Sequence, residues 1–306
     1  MIDFAKNLPS AGEPRFWEIS PGRHLAWNEY GDPQGKPVMY YHGWPSSRLQ
    51  ARLAHHLALE RGLRLIAMDR PGMGRSSFEG GRLLDSWPGL MERFADGLGI
   101  GKFAQLGVSG GGPYVAVCAA KIPERLTASA VLGGMVPVDG LASGVRGLHP
   151  AYRALIPLRK LPAGLFTPVF RTAAAMGCGW KPAAPPMSWA LRTVGTADKQ
   201  LVLGSPEVWT VMARSFKEGV RIHGGHGAMA DAAVYFQSLT FNPATVRHPI
   251  RYWHGGDDRN IPPEMLREFT GKIAGAELVV DGSLGHFSLV VERAPAALDH
   301  LAAASA

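Results

Sequence analysis

The chain has 306 residues, of which 46% are hydrophobic and 19% charged, and a formal net charge of +7. That apolar content supports a large buried core and excludes a disordered chain, and the length suits one α/β domain carrying an insertion. Two cysteines, Cys118 and Cys178, are too few for a disulfide framework and form no C-x-x-C, which points to a reducing compartment. The first ten residues lack an apolar stretch behind positive charge, so no signal peptide is expected. No uncharged apolar run reaches the roughly 18 residues of a membrane span. The expectation is a cytoplasmic protein, monomeric or homodimeric, without a membrane span.

The positive charge is not evenly spread. Residues 136–240 hold 11 Lys and Arg against 5 Asp and Glu, so basicity concentrates in the middle of the chain. Two readings follow: a solvated basic face, or steering of an anionic substrate or surface towards this segment. Nucleic acid is excluded as a partner, because basic helix blocks, zinc spacings and RNP-like aromatic strands are all missing.

In chain order, residues 24–30 alternate in polarity and end at a Gly-Asp-Pro turn, which predicts a half-exposed strand. Residues 37–41 and 64–68 are nearly continuous apolar runs, the pattern of buried parallel strands. Between them, Leu49, Leu53, Leu57 and Leu59 have helical spacing over 48–61. A helix over 83–98, a strand over 103–108, a helix over 110–121 and a strand over 128–132 come next. After a long gap, strands are expected at 250–253 and 277–280, with helices over 263–273 and 287–301. Strands alternating with helices predict a mostly parallel sheet covered by helices on both faces. The segment 136–240 breaks the rhythm, with helical patches near 152–158, 189–193 and 205–216, and a flexible spot at Gly224–Gly227. It reads as a helical insertion between two strands of a core formed by 1–135 and 241–306.

The chemistry centres on Gly107-Val108-Ser109-Gly110-Gly111, a G-x-S-x-G between a strand and a helix. Glycines there permit a sharp turn that exposes the serine. In a chain with 38 glycines this motif alone is weak, so its partners decide. A serine hydroxyl needs a base to take its proton and an acid to orient that base. The strand at 250–253 runs into Gly255-Gly256-Asp257-Asp258, and the next strand runs into Gly285-His286-Phe287. All three residues fall at the carboxyl ends of strands, where open α/β sheets gather their reactive groups. A fourth element, His42-Gly43-Trp44-Pro45, follows the strand at 37–41. Its Trp44 N–H, with that of Gly110 behind the serine, would serve a tetrahedral oxyanion.

These motifs resemble those of the α/β-hydrolase fold superfamily, in its capped, epoxide-hydrolase/esterase-like form. His42–Pro45 resembles the H-G-x-P loop, and Asp69-Arg-Pro-Gly-Met-Gly-Arg-Ser76 the D-x-P-G-x-G-x-S turn. Gly107–Gly111 resembles the nucleophile elbow. Gly255–Asp258 with Ile261-Pro262 resembles the acid loop, and Gly285–Phe287 the histidine loop. The resemblance implies an α/β-hydrolase fold with a helical cap over 136–240, Ser109 as nucleophile, His286 as base, Asp258 as its orienting acid, and Trp44 and Gly110 as oxyanion donors. Epoxide hydrolases and dehalogenases usually carry Asp at the nucleophile position. Serine here implies hydrolysis of a carboxylic ester or related small acyl substrate, with neither metal nor organic cofactor.

Alternatives stay open for several positions. Asp257 competes with Asp258, and Asp139 fits an acid site used by some family members. His223, His226 and His254 compete with His286. His223 and His226 read as loop residues, because a third ligand at metal-site spacing is missing. Asp69 reads as a turn-tying residue, Cys118 as core, and Ser46, Ser47 and Arg48 as helix-capping residues. Two other uses of the Ser/His pair compete with ester hydrolysis. One is carbon–carbon cleavage, lyase or cofactor-free oxygenase chemistry; the other is a ligand sensor with a slow triad.

Overall fold

A computed structural model describes residues 8–139, 141–158, 161–185 and 187–304. The chain begins with an antiparallel pair, β1 (Arg15–Ser20) and β2 (Arg23–Gly31). It continues through β3 (Lys36–Tyr41), α1 (His55–Glu60), β4 (Leu63–Met68), α2 (Trp87–Gly97), β5 (Phe103–Val108), α3 (Gly112–Lys121) and β6 (Leu126–Leu132). Six helices follow: α4 (Pro150–Leu158), α5 (Thr167–Gly179), α6 (Met187–Ala190), α7 (Thr196–Gly204), α8 (Pro206–Gly219) and α9 (Gly224–Ala233). The chain closes with β7 (Ile250–Gly255), α10 (Pro263–Thr270), β8 (Ala276–Asp281) and α11 (His286–Ala303).

The eight strands form one sheet in the order β1-β2-β4-β3-β5-β6-β7-β8. From β4 to β8 all neighbours are parallel, while β2 joins β4 antiparallel. Strand periodicity explains both cores, because successive side chains point to opposite faces. Met39, Tyr41, Ile66 and Met68 pack towards α2 and α3 with Trp87, Phe94 and Tyr114. Val38, Tyr40, Leu65, Ala67 and Leu106 pack on the other face, with α1 and α11. Each fully buried Leu, Val or Phe contributes about 1.5–3 kcal/mol, so the two layers supply the main driving force for the core.

Several elements differ from the sequence expectation. The period-2 alternation of Trp17 and Ile19 forms β1, an edge strand that the expectation left out. The helix expected over 48–61 divides into a 3₁₀ segment, Arg48–Ala54, and α1. The glycines at 224–227 lie in α9 and not in a flexible loop. Close packing explains that: a Cβ on Gly225 would meet the Phe166 and Thr167 backbone, and one on Gly227 would overlap the Gly72 carbonyl. Helices α5 and α7 went unforeseen because their apolar faces are short.

Candidate active site

Strand β5 ends at Val108, and the chain turns sharply into α3 through Ser109–Gly111. Ser109 has φ +50°, the sole positive φ among described non-glycine residues. That backbone costs about 1–3 kcal/mol and persists only where the surroundings enforce it. The enforcement is visible in the neighbours. A Cβ on Gly107 would strike the Gly111 backbone and Val115, and one on Gly111 would overlap the Tyr41 carbonyl. The Ser109 carbonyl in turn accepts from Met135 N at 2.8 Å.

The sequence-expected partners converge on this serine. His286 Nε2 lies 2.9 Å from Ser109 Oγ, and His286 Nδ1 lies 2.7 Å from Asp258 Oδ2. Asp258 Oδ1 is fixed by the backbone N–H groups of Asn260 and Ile261, each at 2.9 Å. With Nδ1 protonated towards the carboxylate, Nε2 is left to accept the serine proton, a tautomer assigned from its partners. Burial opposes charge on the imidazole, but the Asp258 carboxylate and its hydrogen bond, with a smaller contribution from Asp198, outweigh it and raise the His286 pKa. Burial would raise the Asp258 pKa, yet its bond to His286 keeps it below the usual carboxylate range.

The competing residues go elsewhere. Asp257 pairs with Arg259 at 3.1 Å and Asp139 is exposed. His254 is buried, with Nε2 2.8 Å from the Ile261 carbonyl and 3.4 Å from Asp258 Oδ2, behind the acid loop. His223 reaches the Ser76 carbonyl at 3.0 Å, and both His223 and His226 pack on Phe78. No group of three metal-ligating side chains occurs among the described residues. No helix among them is long and apolar enough to cross a membrane.

The loop after β3 stands over Gly110. A Cβ there would lie 3.1 Å from Trp44 N and 2.9 Å from Trp44 Cβ, and would overlap the Tyr235 hydroxyl. The loop is held from several sides. Gly43 N donates to Gln50 Oε1 at 2.7 Å, the Trp44 indole donates to the Ala228 carbonyl at 2.7 Å, and Trp44–Pro45 is cis. Arg70 donates to the carbonyls of His42 and Gly43 while gripping Asp231 bidentately, at 3.0 and 2.7 Å.

Two cavities meet at Ser109 and Trp44. One also touches Gly110, Met135, Met229, Tyr235 and Phe236. The other touches His286, Trp209, Met212, Phe216 and Phe287. Neither lining includes Lys, Arg, Asp or Glu.

With a mostly parallel eight-stranded sheet and a serine turn behind β5, the comparison with known proteins is direct. The family model for the alpha/beta hydrolase fold matches residues 36–163. An alpha/beta hydrolase fold protein from Nakamurella multipartita superposes with a TM-score of 0.67 at 21% identity, covering 95% of this chain and 100% of that one. The chain has the α/β-hydrolase fold. Among solved structures, a thermophilic esterase from Thermogutta terrifontis gives a TM-score of 0.65 at 19% identity over 94% of this chain and 97% of that one. A non-heme haloperoxidase from Rhodococcus erythropolis is 34% identical, but the match spans 40% of this chain and only 44% of that protein's length. A bifunctional esterase/perhydrolase from Acinetobacter calcoaceticus is 26% identical over 86% of this chain and 87% of its own.

Several residues around this α/β-hydrolase site escaped the sequence reading. Arg48 was expected near a helix cap. Ser47 does accept from Leu49 N, but Arg48 itself is a buried guanidinium bound to Asp69 at 2.5 Å and to Glu218 at 2.9 Å. Asp69 ties the backbone of Arg48 and Arg75 as a turn-fixing residue should. Asp198, Glu218 and Asp231 come from the inserted helices, 20 or more residues from any partner in sequence in most cases. A local motif for them does not exist; an acid at a buried helical position is the one available signal.

Proposed function

We propose that this protein is a serine hydrolase that cleaves a small neutral carboxylic ester through an acyl-enzyme on Ser109. The observation carrying this reading is the unbroken hydrogen-bonded path from Ser109 Oγ through His286 to Asp258, starting on a strained turn where two apolar cavities meet. Ser109 Oγ attacks the ester carbonyl as His286 Nε2 takes its proton. Asp258 stabilises the imidazolium, and the N–H groups of Trp44 and Gly110 receive the oxyanion. His286 then returns the proton to the departing alkoxide. Water, deprotonated by the same imidazole, attacks the acyl-enzyme; as the acyl–Oγ bond breaks, His286 returns that proton to Ser109 Oγ and the acid leaves.

The proton donor sets the polarity of the cleft. The cavity lined by His286 takes the alcohol, and the one lined by Gly110 and Tyr235 takes the acyl group. The inserted helices act as a cap that supplies much of both linings. Uncharged walls favour apolar groups on both sides of the ester, so the basic face of the insertion is not a substrate subsite. The hydrolytic relatives support this reading, as does the esterase half of the bifunctional relative's name. The perhydrolase half favours a second activity, in which hydrogen peroxide replaces water as acyl acceptor; a peracid assay with acetate esters tests it.

The primary test is fluorophosphonate labelling together with a p-nitrophenyl ester chain-length panel. Ser109→Ala is expected to abolish labelling and to lower turnover by at least about 10³-fold. Labelling retained in that variant would overturn the assignment.

A further inference from the structure

His286 is the first residue of α11, and the group that completes this helix end comes from the insertion. Asp198, on α7, is buried at 1% exposure. Its Oδ2 accepts from the His286 backbone N–H at 2.8 Å. Its Oδ1 accepts from Phe287 N at 2.9 Å, Ser288 N at 2.8 Å and Ser288 Oγ at 2.7 Å. The first N–H groups of a helix have no intrahelical acceptor. Here one carboxylate satisfies three in succession. The preceding residue, Gly285, has no side chain for a cap of its own. A Cβ there would lie 2.6 Å from the Asp198 carboxyl carbon and both its oxygens, so the approach requires glycine.

We propose that Asp198 is a positioning residue through which the inserted helices hold His286 in register with Ser109. The inference rests on the roles assigned to Ser109 and His286 above. Asp198 fixes the backbone from which the imidazole projects, so the Ser109–His286 hydrogen bond depends on the insertion being docked. A misplacement of about 1 Å at a reacting group can cost 10²-fold in rate, and the other side chain at that helix end, Ser288, accepts from Gly285 N and itself donates to Asp198. The carboxylate also acts on the imidazole by charge. The titratable groups facing His286 are Asp258 and His254 from the β7 side and Asp198 from α7. Burial lowers the imidazole pKa, and Asp258 first and then Asp198 raise it.

The test compares wild type, Asp198→Asn and Ser288→Ala by the second-order rate of fluorophosphonate labelling across pH. Folding is checked by circular dichroism. Labelling needs neutral His286, so its rate rises with pH through the imidazole pKa. Asp198→Asn removes a charge that raises this pKa. Its acid limb is expected at lower pH, with the plateau rate reduced roughly 10- to 100-fold. Ser288→Ala keeps the carboxylate, so its limb should stay at the wild-type position. A wild-type rate in Asp198→Asn, or a reduced rate with an unmoved limb, would overturn the proposal. Should Asp198→Asn not fold, Gly285→Ala makes the same test by pushing the carboxyl away, and wild-type labelling in that variant overturns the proposal equally. A wild type that does not label at all would instead overturn the assignment of Ser109, which separates the two failures.

Discussion

Around the sheet, contacts are overwhelmingly apolar: Phe103, Leu106, Tyr114, Tyr252 and their neighbours are almost wholly buried on its two faces. Where the inserted helices meet that body, apolar contacts such as Trp44 on Phe170 are joined by several buried ionic or charge-assisted ones. Asp231 is wholly buried between Arg70, Arg82 and the Tyr114 hydroxyl. Glu218 binds Arg48 and Arg75, and Asp198 binds the start of α11. Three of the few acids in the insertion therefore point inward. Its described lysines and arginines, among them Arg171, Lys181, Arg192 and Lys217, are exposed. An apolar interface tolerates sliding because contact energy depends little on direction. A carboxylate clasped by a guanidinium fork has one favourable geometry. The insertion is therefore registered on the core by a few directional bonds.

The largest effect is expected of Asp231→Ala, which leaves two arginines buried without their acid. A loss of about 3–5 kcal/mol is expected in urea unfolding. Burial would raise the Asp231 pKa, but Arg70 and Arg82 hold it far below the usual range. A depressed pKa means that the stabilisation is complete above the unfolded value near 3.9 and is lost only as pH falls towards the folded value. The gap between wild type and variant should therefore be flat from about pH 5 to 8 and close only in stronger acid. Leu106→Ala probes the apolar side. It is expected to cost about 3 kcal/mol, within the usual 2–5 for a buried leucine, without that acid dependence. The smallest effect is expected for Glu218→Gln, about 1–2 kcal/mol, because Glu218 and Arg75 keep 10% and 23% of their side chains exposed. A Glu218→Gln cost equal to that of Asp231→Ala would show that position, and not desolvation, sets the strength of these anchors.

The same contrast explains what could be read from the sequence. Strands β3 to β8 and helices α2, α3, α10 and α11 were legible because interior strands write a nearly continuous apolar run, and amphipathic helices write a 3.6-residue period. Ser109, Asp258 and His286 were legible because each sits in its own strand-end motif, and the structure brings the three within hydrogen-bonding reach. Asp198 and Asp231 left no such trace. Their partners lie 88 and 161 residues away in the chain, and a buried acid in a helix looks locally like any solvated one. Arg48 was misread for a related reason. A capping serine stood beside it, and nothing nearby announced that its guanidinium would be enclosed by Asp69 and Glu218. Helices α5, α7 and α9 were obscured because small residues and directional bonds replace the apolar stripe.

The inward turn of the insertion's acids also has an electrical consequence. Their partners are core arginines (Arg48, Arg70, Arg75 and Arg82), so cations of the core are neutralised by anions of the insertion. The charges left at the surface are then unequally shared, with the helices positive and the sheet-bearing body nearer to balance. The folded molecule therefore has a lopsided surface charge, which its net charge of +7 does not show. Near any negatively charged surface it will turn its helices inward before contact, and added salt will progressively abolish that orientation.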